Sequence, residues 1–172
     1  MTQLTLINTI GEWLIDQALD EPDIIEMFDS VCQRLFGAGV PIARARLTWT
    51  TLHPLFSAET ILWKRGQDIE FEQFHHRENQ SDEWETSPMK YMLENDVDTI
   101  RRQLDGPNKL VDFGILDELI AQKMTDYLVI GTGFTEKGKF TKDDGLGMIV
   151  TWSSDRPGGF SNDDIASLQK SQ

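Results

Sequence analysis

The sequence predicts an α+β domain built on a central, mostly antiparallel sheet of about six strands, with helices packed on it. Apolar residues recur at helical spacing before residue 41 and at every second position from residue 43 onward. Strand-like stretches then alternate with turns and short helices, as in antiparallel meanders interrupted by helices. No repeat or low-complexity linker divides the 172 residues, so residues 1–172 are expected to form one domain.

Residues 1–40 are predicted to form two amphipathic helices. Their apolar faces comprise Leu6, Ile7, Ile10, Trp13, Leu14 and Ala18 in the first helix, and Ile24, Ile25, Phe28, Val31, Cys32, Leu35 and Phe36 in the second. Acidic residues and a proline at positions 20–23 precede the second helix, and Gly37 is expected to end it. The first stripe also suits a dimer seam, although burial against the domain's own sheet is the commoner fate of such a face.

Residues 41–160 are predicted to form the sheet and a pocket. In the first strand Ala43, Ala45, Leu47 and Trp49 share one face, and Arg44, Arg46, Thr48 and Thr50 share the other. After the turn at residues 51–54, residues 60–64 and 69–74 are expected to pair as antiparallel strands joined at Arg65-Gly66. The polar stretch 75–85 is interpreted as a loop.

The next elements are a helix, a strand, a helix and two strands. Ser87 and Pro88 begin a short helix, residues 97–104 form a strand, and 105–108 form a turn. A further helix covers Phe113 to Met124, followed by a strand at 126–132. The loop 134–144 then leads to the last strand, in which Met148, Val150 and Trp152 alternate with Ile149 and Thr151.

The chain closes with a tight turn and a helix start. Asp155, Arg156, Pro157, Gly158 and Gly159 interrupt the strand, because proline lacks an N–H and glycine can adopt φ > 0. Ser161 is a predicted N-cap with Asp164 three residues on, and Phe160 and Ile165 suit a hydrophobic staple. Residues 161–172 hold few apolar positions, so they are interpreted as the start of a longer, truncated exit helix.

This element order is typical of sensor domains of the GAF and PAS type, and the two N-terminal helices favour GAF. It implies helices over one face of the sheet and a pocket under the other. The segments Thr51-Leu52-His53-Pro54, Thr125-Asp126-Tyr127-Leu128 and 151–160 (TWSSDRPGGF) resemble the N-terminal regulatory domain of a group of bacterial class III adenylate cyclases. The similarity covers nearly the whole chain.

The resemblance implies a GAF-like sensor domain that controls a covalently linked adenylate cyclase catalytic domain, and with it cAMP synthesis, through its exit helix. The chain itself is expected not to be an enzyme, because the catalytic domain is absent from it. Two alternatives remain open: a stand-alone small-molecule-binding protein of GAF fold, and a purely structural dimerisation module. A homodimer through the terminal helices is the expected assembly.

Composition excludes several other classes of protein. The formal charge of −13 argues against nucleic-acid binding and against anionic membrane surfaces. No apolar run approaches the ~20 residues that span a bilayer, and no signal peptide opens the chain. Cys32 is the single cysteine, so no internal disulfide is possible, which fits a reducing compartment. The expected location is the cytoplasm.

Candidate ligand-binding residues are His53, at a strand end, and the aromatic residues Trp49, Trp63, Tyr127 and Trp152, which sit on predicted strands. Core packing is the alternative for the aromatic residues, and a hydrogen bond closing the turn is the alternative for His53. The six residues Asp155, Arg156, Pro157, Gly158, Gly159 and Phe160, the coupling segment, are expected to connect the sheet mechanically to the exit helix.

Nothing in the sequence predicts a catalytic or metal site. No nucleophile is paired with a base, and the adjacent His75 and His76 have no third ligand nearby. No cofactor is expected, and an unknown small-molecule ligand is possible. Asn108-Lys109, Phe113 and Asp117-Glu118 match the spacing of the NKFDE signature of cyclic-nucleotide-binding GAF domains. That signature runs into the last helix, however, whereas these residues precede a strand.

Overall fold

A six-stranded antiparallel sheet forms the centre of the protein. The computed structural model describes residues 3–18, 23–50, 56–75, 82–133 and 147–171. The strands are β1 (Arg44–Thr50), β2 (Phe56–Lys64), β3 (Glu70–His75), β4 (Thr99–Gln103), β5 (Asp126–Gly133) and β6 (Gly147–Ser154). They lie in the order β3-β2-β1-β6-β5-β4, and each neighbouring pair is antiparallel. The predicted fold class is confirmed.

Helices flank the sheet on both faces. They are α1 (Gln3–Ala18), α2 (Ile24–Gly37), α3 (Asp82–Glu85), α4 (Pro88–Asn95), α5 (Ile115–Ala121) and α6 (Asn162–Lys170). Local chemistry sets several helix starts. Asp23 accepts hydrogen bonds from two backbone N–H groups of α2, and Ser87 accepts one from Lys90 ahead of a proline at the start of α4.

Two apolar clusters lie on opposite faces of the sheet. The larger joins α1, α2 and α6 to side chains of one sheet face that include Leu47, Trp63 and Trp152. The smaller joins α4 and α5 to side chains of the other face, among them Tyr127, Val129 and Ile149. Helices were expected over one face of the sheet, but they pack on both faces. The reason is that β5 and β6 carry apolar side chains on both faces, and these are buried by helices on either side.

The alternation predicted for the first strand is present in β1. Ala45 and Leu47 are buried in the larger cluster, and Trp49 packs against it. Arg44, Arg46 and Thr48 consequently face the other side of the sheet, since successive side chains of a strand point to opposite faces. This one strand places its apolar residues on the core and its arginines on the side of α4 and α5.

Several predicted boundaries differ from the structure. β2 begins at Phe56 rather than Thr60, because pairing with β1 and β3 extends the ladder. A short helix, α3, lies inside the predicted loop 75–85, and α5 begins at Ile115, after the buried Phe113. Gly37 is still helical, and the glycine with positive φ, +96°, is Gly39.

Some predictions fall outside the described residues. These are the turn that contains His53, the residue His76, and the loop 134–144. Within the described ranges, no helix is long and apolar enough to cross a bilayer.

Candidate ligand-binding cavity and exit-helix junction

A cavity of about 500 Å³ lies between the sheet and the helices α4 and α5. It is on the face that α1, α2 and α6 leave free, and its volume falls in the range of about 300–1,000 Å³ that is usual for ligand sites. Its lining residues are Arg44, Arg46, Thr48, Thr86, Ser87, Pro88, Met89, Gly114, Ile115, Glu118, Tyr127, Val129, Ile149 and Thr151. Strands β1, β5 and β6 supply the floor, and residues of α4, α5 and their N-terminal approaches supply the wall.

Two arginines of β1 lie on the cavity floor. Arg44 is 8% exposed, and its guanidinium Nη2 is 3.3 Å from a carboxylate oxygen of Glu118 on α5. The Nη2 atom of Arg46 is 3.6 Å from a carboxylate oxygen of Glu72 on β3. The Nε–H groups of both arginines are buried and have no hydrogen-bond partner among the described residues. Buried donors without partners are rare, and these two are covered by protein atoms rather than open to the cavity.

Burial dominates the electrostatics of the floor. It lowers the pKa of the Arg44 guanidinium, while Glu118 raises it and the like charge of Arg46 lowers it. Burial likewise raises the pKa of Tyr127 far above that of a free phenol, and a hydrogen bond to Thr151 acts in the opposite sense. Both side chains therefore lie in a poorly solvated environment, where an unsatisfied polar group costs more free energy than at the surface.

The remaining lining is largely apolar. Pro88 and Met89 come from the first turn of α4, Ile115 from the start of α5, and Val129 and Ile149 from the sheet. A site with an apolar wall and a few convergent polar groups is suited to binding a small organic molecule. In the described part of the chain, no cluster of three or more His, Cys, Asp or Glu side chains could hold a metal ion.

The structure places one of the predicted ligand residues in this cavity, Tyr127. Trp63 and Trp152 are in the larger core cluster on the opposite face, and Trp49 packs against that cluster. The reason is strand parity: in β6, Ile149 and Thr151 face the cavity, so Trp152 faces the core. His53 lies outside the described residues.

Specific contacts account for the three tryptophans. The ring centroid of Trp152 is 6.3 Å from that of Phe28, and the centroid of Trp49 is 6.5 Å from that of Phe71. The indole N–H of Trp63 donates a 2.9 Å hydrogen bond to Asp29 on α2. The contacts of Trp63 and Trp152 are those of core side chains, which was the alternative to a ligand role, whereas Trp49 also packs on the exposed ring of Phe71.

Sequence reasoning missed Arg44 and Arg46 as site residues. The signal was present, because the alternation in β1 assigned both arginines to the face away from the apolar core. Glu118 was noted as part of a signature-like spacing, but its position opposite Arg44 depends on the packing of α5 on the sheet.

A second arrangement joins the sheet to α6. Asp126, the first residue of β5, has no exposed surface, and its carboxylate accepts a 2.6 Å hydrogen bond from the guanidinium Nη2 of Arg101 on β4. The same Nη2 donates to the carbonyl of Phe160 at 2.8 Å, and the N–H of Phe160 donates to the Asp126 carboxylate at 2.9 Å. The residue that precedes the N-cap of α6 is thus held at both its N–H and its carbonyl by two strands.

The coupling segment has the backbone that its composition predicts. Gly158 and Gly159 have φ of +81° and +72°, in the region where side chains are strained. A Cβ on Gly159 would lie 2.3 Å from a carboxylate oxygen of Asp126, whereas a Cβ on Gly158 would meet open space. Only glycine therefore fits beside the buried carboxylate.

Arg156 and Asp155 fix the two ends of this turn. Arg156 donates to the carbonyl of Gly159 at 2.7 Å and to Asp164 of α6 at 2.6 Å. Asp164 and Ser161 form the predicted capping box. Asp155 instead pairs with Arg65, in the turn after β2. Arg156 therefore pairs with an acidic residue of the helix and not with its neighbour Asp155.

No protein-family model matches the chain, and no curated protein matches it significantly. Solved structures do. A phycoerythrobilin-bound GAF domain of a cyanobacterial phytochrome is 12% identical with a TM-score of 0.57, covering 99% of this chain and 89% of that one. The phycocyanobilin-bound GAF domain of a cyanobacterial phytochrome is 13% identical with a TM-score of 0.54, at 99% and 89% coverage.

A putative GAF sensor protein from Burkholderia vietnamiensis is 10% identical with a TM-score of 0.54, covering 99% of this chain and 90% of that chain. At such low identity a structural likeness speaks for the fold, since one fold carries many functions. The strand order, the flanking helices and these likenesses together establish that this chain has the GAF fold.

Proposed function

We propose that the chain is the regulatory sensor domain of a longer protein. A small molecule bound in the cavity controls a downstream adenylate cyclase catalytic domain through α6. The observation that carries this proposal is the position of two consecutive residues of β5. Tyr127 lines the cavity, and Asp126 holds the backbone of Phe160 at the entry to α6.

The connection between the two sites is short and made of fixed contacts. The N–H of Tyr127 donates to the Asp126 carboxylate at 3.0 Å, which in turn accepts from Phe160 at 2.9 Å. A ligand that displaces β5 by a fraction of an ångström displaces the start of α6 with it. A ligand can shift an equilibrium between two positions of α6 only by its difference in affinity for them, so the bound and empty cavities must favour different positions.

The resemblance of the tail motif to cyclase regulatory domains supports the choice of output. Class III cyclases build their active sites at a dimer interface, so a small rotation of two paired exit helices suffices to change activity. We accordingly propose a homodimer through the terminal helices. In support, α1 contacts α6, and Ile15 on α1 is 68% exposed.

The cavity favours a binding role over a purely structural dimerisation module, which would need no space of about 500 Å³. A stand-alone small-molecule-binding protein of GAF fold is the second candidate, and the same cavity supports it. The reading frame after Gln172 separates the two. A catalytic domain there supports the sensor, and a stop codon there contradicts it.

Native mass spectrometry of the freshly purified protein tests ligand binding. We expect a bound species heavier than the chain by the mass of one small molecule, released on denaturation. In the full-length protein, adding that molecule back after its removal should change cyclase activity with ATP and Mg²⁺. Unchanged activity despite rebinding would contradict control through α6. Ligand binding without any effect on activity would then favour the second candidate, the stand-alone small-molecule-binding protein.

A further inference from the structure

We propose that the cavity binds the carboxylate group of a small monoanion with an apolar body, and that this group competes with Glu118 for the arginines of the cavity floor. The proposal rests on the proposed sensor function and specifies its ligand. The two arginines, Arg44 and Arg46, are two residues apart on β1 and project to the same face. Both arginines therefore line the same cavity.

The ion pairs of the floor identify the chemical group. The terminal guanidinium nitrogens of Arg44 and Arg46 contact the carboxylates of Glu118 and Glu72. The carboxylate of a ligand has the same two oxygens, and it can accept from the terminal N–H groups of Arg44 in place of Glu118. Arginine binds such planar oxyanions through well-aligned pairs of hydrogen bonds, which are stronger than those between neutral groups.

The charges around the floor limit the ligand to a single negative charge. Glu118 and Glu72 already supply two carboxylates opposite the two guanidinium groups, and Glu70 also acts on Arg44 through its charge. A dianion such as phosphate would add excess negative charge to a chain whose formal charge is −13. A monoanion that replaces one of these carboxylates keeps the local charge constant.

Glu118 is the carboxylate that can leave. Its side chain is 51% exposed, whereas that of Arg44 is 10% exposed, so Glu118 can turn to solvent at little desolvation cost while the arginine stays in place. The ion pair between them then acts as an internal competitor. The carboxylate of the chain itself occupies the arginine when no ligand is bound, and an incoming carboxylate takes its place.

The walls determine the rest of the molecule. Pro88, Met89 and Ile115 on the helix side and Val129 and Ile149 on the sheet side present apolar surface. An apolar body buried against them is stabilised in proportion to the apolar area that it removes from water, in addition to the ionic contact. A free inorganic anion would forgo this contribution, which favours an organic carboxylate.

Fluorine NMR provides the test, with para-fluorobenzoate, para-fluorophenylacetate, para-fluorophenylbutyrate and their three uncharged amides as probes. We expect at least one acid to bind and its amide to bind at least tenfold more weakly. Arg46→Gln should weaken binding of that acid by at least tenfold, and Glu118→Gln should strengthen it several-fold. The matched control is Arg102→Gln, which removes an ion-paired arginine outside the cavity and should leave binding unchanged.

Arg46 is preferred to Arg44 for this test because its side chain is 29% exposed and its loss is less liable to unfold the protein. Thermal unfolding of each variant checks this point. The opposite directions expected for Arg46→Gln and Glu118→Gln are not produced by a general loss of structure.

Three outcomes would overturn the inference, and they separate it from the sensor function. Equal binding of acids and amides would refute the carboxylate while leaving a ligand-binding cavity. Displacement of the acids by inorganic phosphate at equal concentration would refute the monoanion. Absence of binding by any acid up to about 10 mM, weaker than almost any specific site, would refute the inference. The ligand retained in native mass spectrometry would then decide the sensor function independently.

Discussion

Asp126 has no exposed surface, and its carboxylate accepts hydrogen bonds from Arg101, Tyr127 and Phe160. A neighbouring pair on the same edge strand provides a comparison. Arg102 donates to Asp112 at 2.7 Å, but the Asp112 side chain is 35% exposed. The two pairs have similar geometry and differ in solvation, and solvation decides how much free energy each contributes.

Asp126→Asn should therefore destabilise the protein by about 3 kcal/mol, because it leaves a guanidinium and two backbone N–H groups without their charged partner. Asp112→Asn should cost less than about 1 kcal/mol, since water replaces the lost contact. Urea unfolding of both variants measures the difference. Equal losses would mean that Asp126 is not the buried centre of the junction.

Gly159 and Gly158 form a second matched pair. Alanine is strained at both positions because φ is positive, at a cost of about 1–2 kcal/mol each. At Gly159 the new Cβ would also meet Asp126 at 2.3 Å, which should add about 1–3 kcal/mol. Thermal or urea unfolding should rank Gly159→Ala as clearly the less stable. The reverse order would contradict the close approach of the turn to Asp126.

The burial of Cys32 makes the stability of the protein depend on pH. Burial and, secondarily, the charge of Asp29 raise the pKa of its thiol. Below the unfolded-state pKa of about 8.5 the thiol is protonated in both the folded and the unfolded chain, so it does not lower the free energy of unfolding. Above that pH the unfolded chain ionises the thiol and the folded chain does not, so the free energy of unfolding falls as pH rises. The stability difference between the wild type and Cys32→Ala should fall by about 2 kcal/mol between pH 7 and pH 10. Urea unfolding at both pH values measures it, and a constant difference would place the thiol in contact with water.

At the scale of elements, the entry to α6 is held by side chains rather than by the helix's own apolar face. Leu168 is its one fully buried apolar residue, and Ile165 packs beside the same core. The capping box and Arg156 fix the first turn to the coupling segment. Phe160 is 3% exposed and belongs to the larger core cluster, so Phe160→Ala should lower the free energy of unfolding by about 3–5 kcal/mol. A weakened response of this variant could then come from lost stability as well as from lost coupling.

Arg156→Gln is the better test of coupling, because the Arg156 side chain is 42% exposed and fills no part of the core. Its loss should cost roughly 1–3 kcal/mol, since Asp164 is buried but keeps the hydrogen bonds from Ser161. In the full-length protein we expect nearly unchanged ligand affinity and a weakened response of the output domain. The control is Lys90→Gln, which removes an exposed ion pair on α4 with Glu85. Loss of ligand affinity in Arg156→Gln, measured by calorimetry, would assign the segment to the cavity instead.

At the scale of the whole molecule, the two sheet faces have separate tasks. One face and the helices α1, α2 and α6 form the main core, and the other face with α4 and α5 forms the cavity. Because α6 belongs to the first layer and the cavity to the second, the proposed control of α6 by a ligand requires a change that crosses the sheet. In that proposal β5 is the path, with Tyr127 and Asp126 adjacent in sequence.

The assembly prediction also belongs at this scale. A chain extended beyond Gln172 should be a dimer by light scattering at about 20 μM, a concentration that micromolar affinity suffices to populate. Ile15→Glu should weaken the dimer, because Ile15 is 68% exposed on α1. Ile24→Glu, at a 39% exposed position on α2, is the control and should not. A monomer in the extended wild-type chain would contradict pairing through the terminal helices.

The sequence by itself determined the elements other than α3, and their order. Alternation assigned the two faces of β1, and the residues Ser87, Pro88 and Ser161 marked the helix starts correctly, because capping and periodicity are local properties of the chain. It also determined that Gly158 and Gly159 would adopt positive φ, since the turn chemistry there is local too.

Tertiary structure alone decided which side chains meet. Trp49, Trp63 and Trp152 were candidates for the pocket, but they lie in or against the core. The alternation of a strand shows which side chains share a face, but it does not show which face carries the pocket. Arg44 meets Glu118, and Asp126 meets Phe160, across 74 and 34 residues of sequence. Such contacts depend on the packing of helices on the sheet and on strand order, which no local pattern encodes.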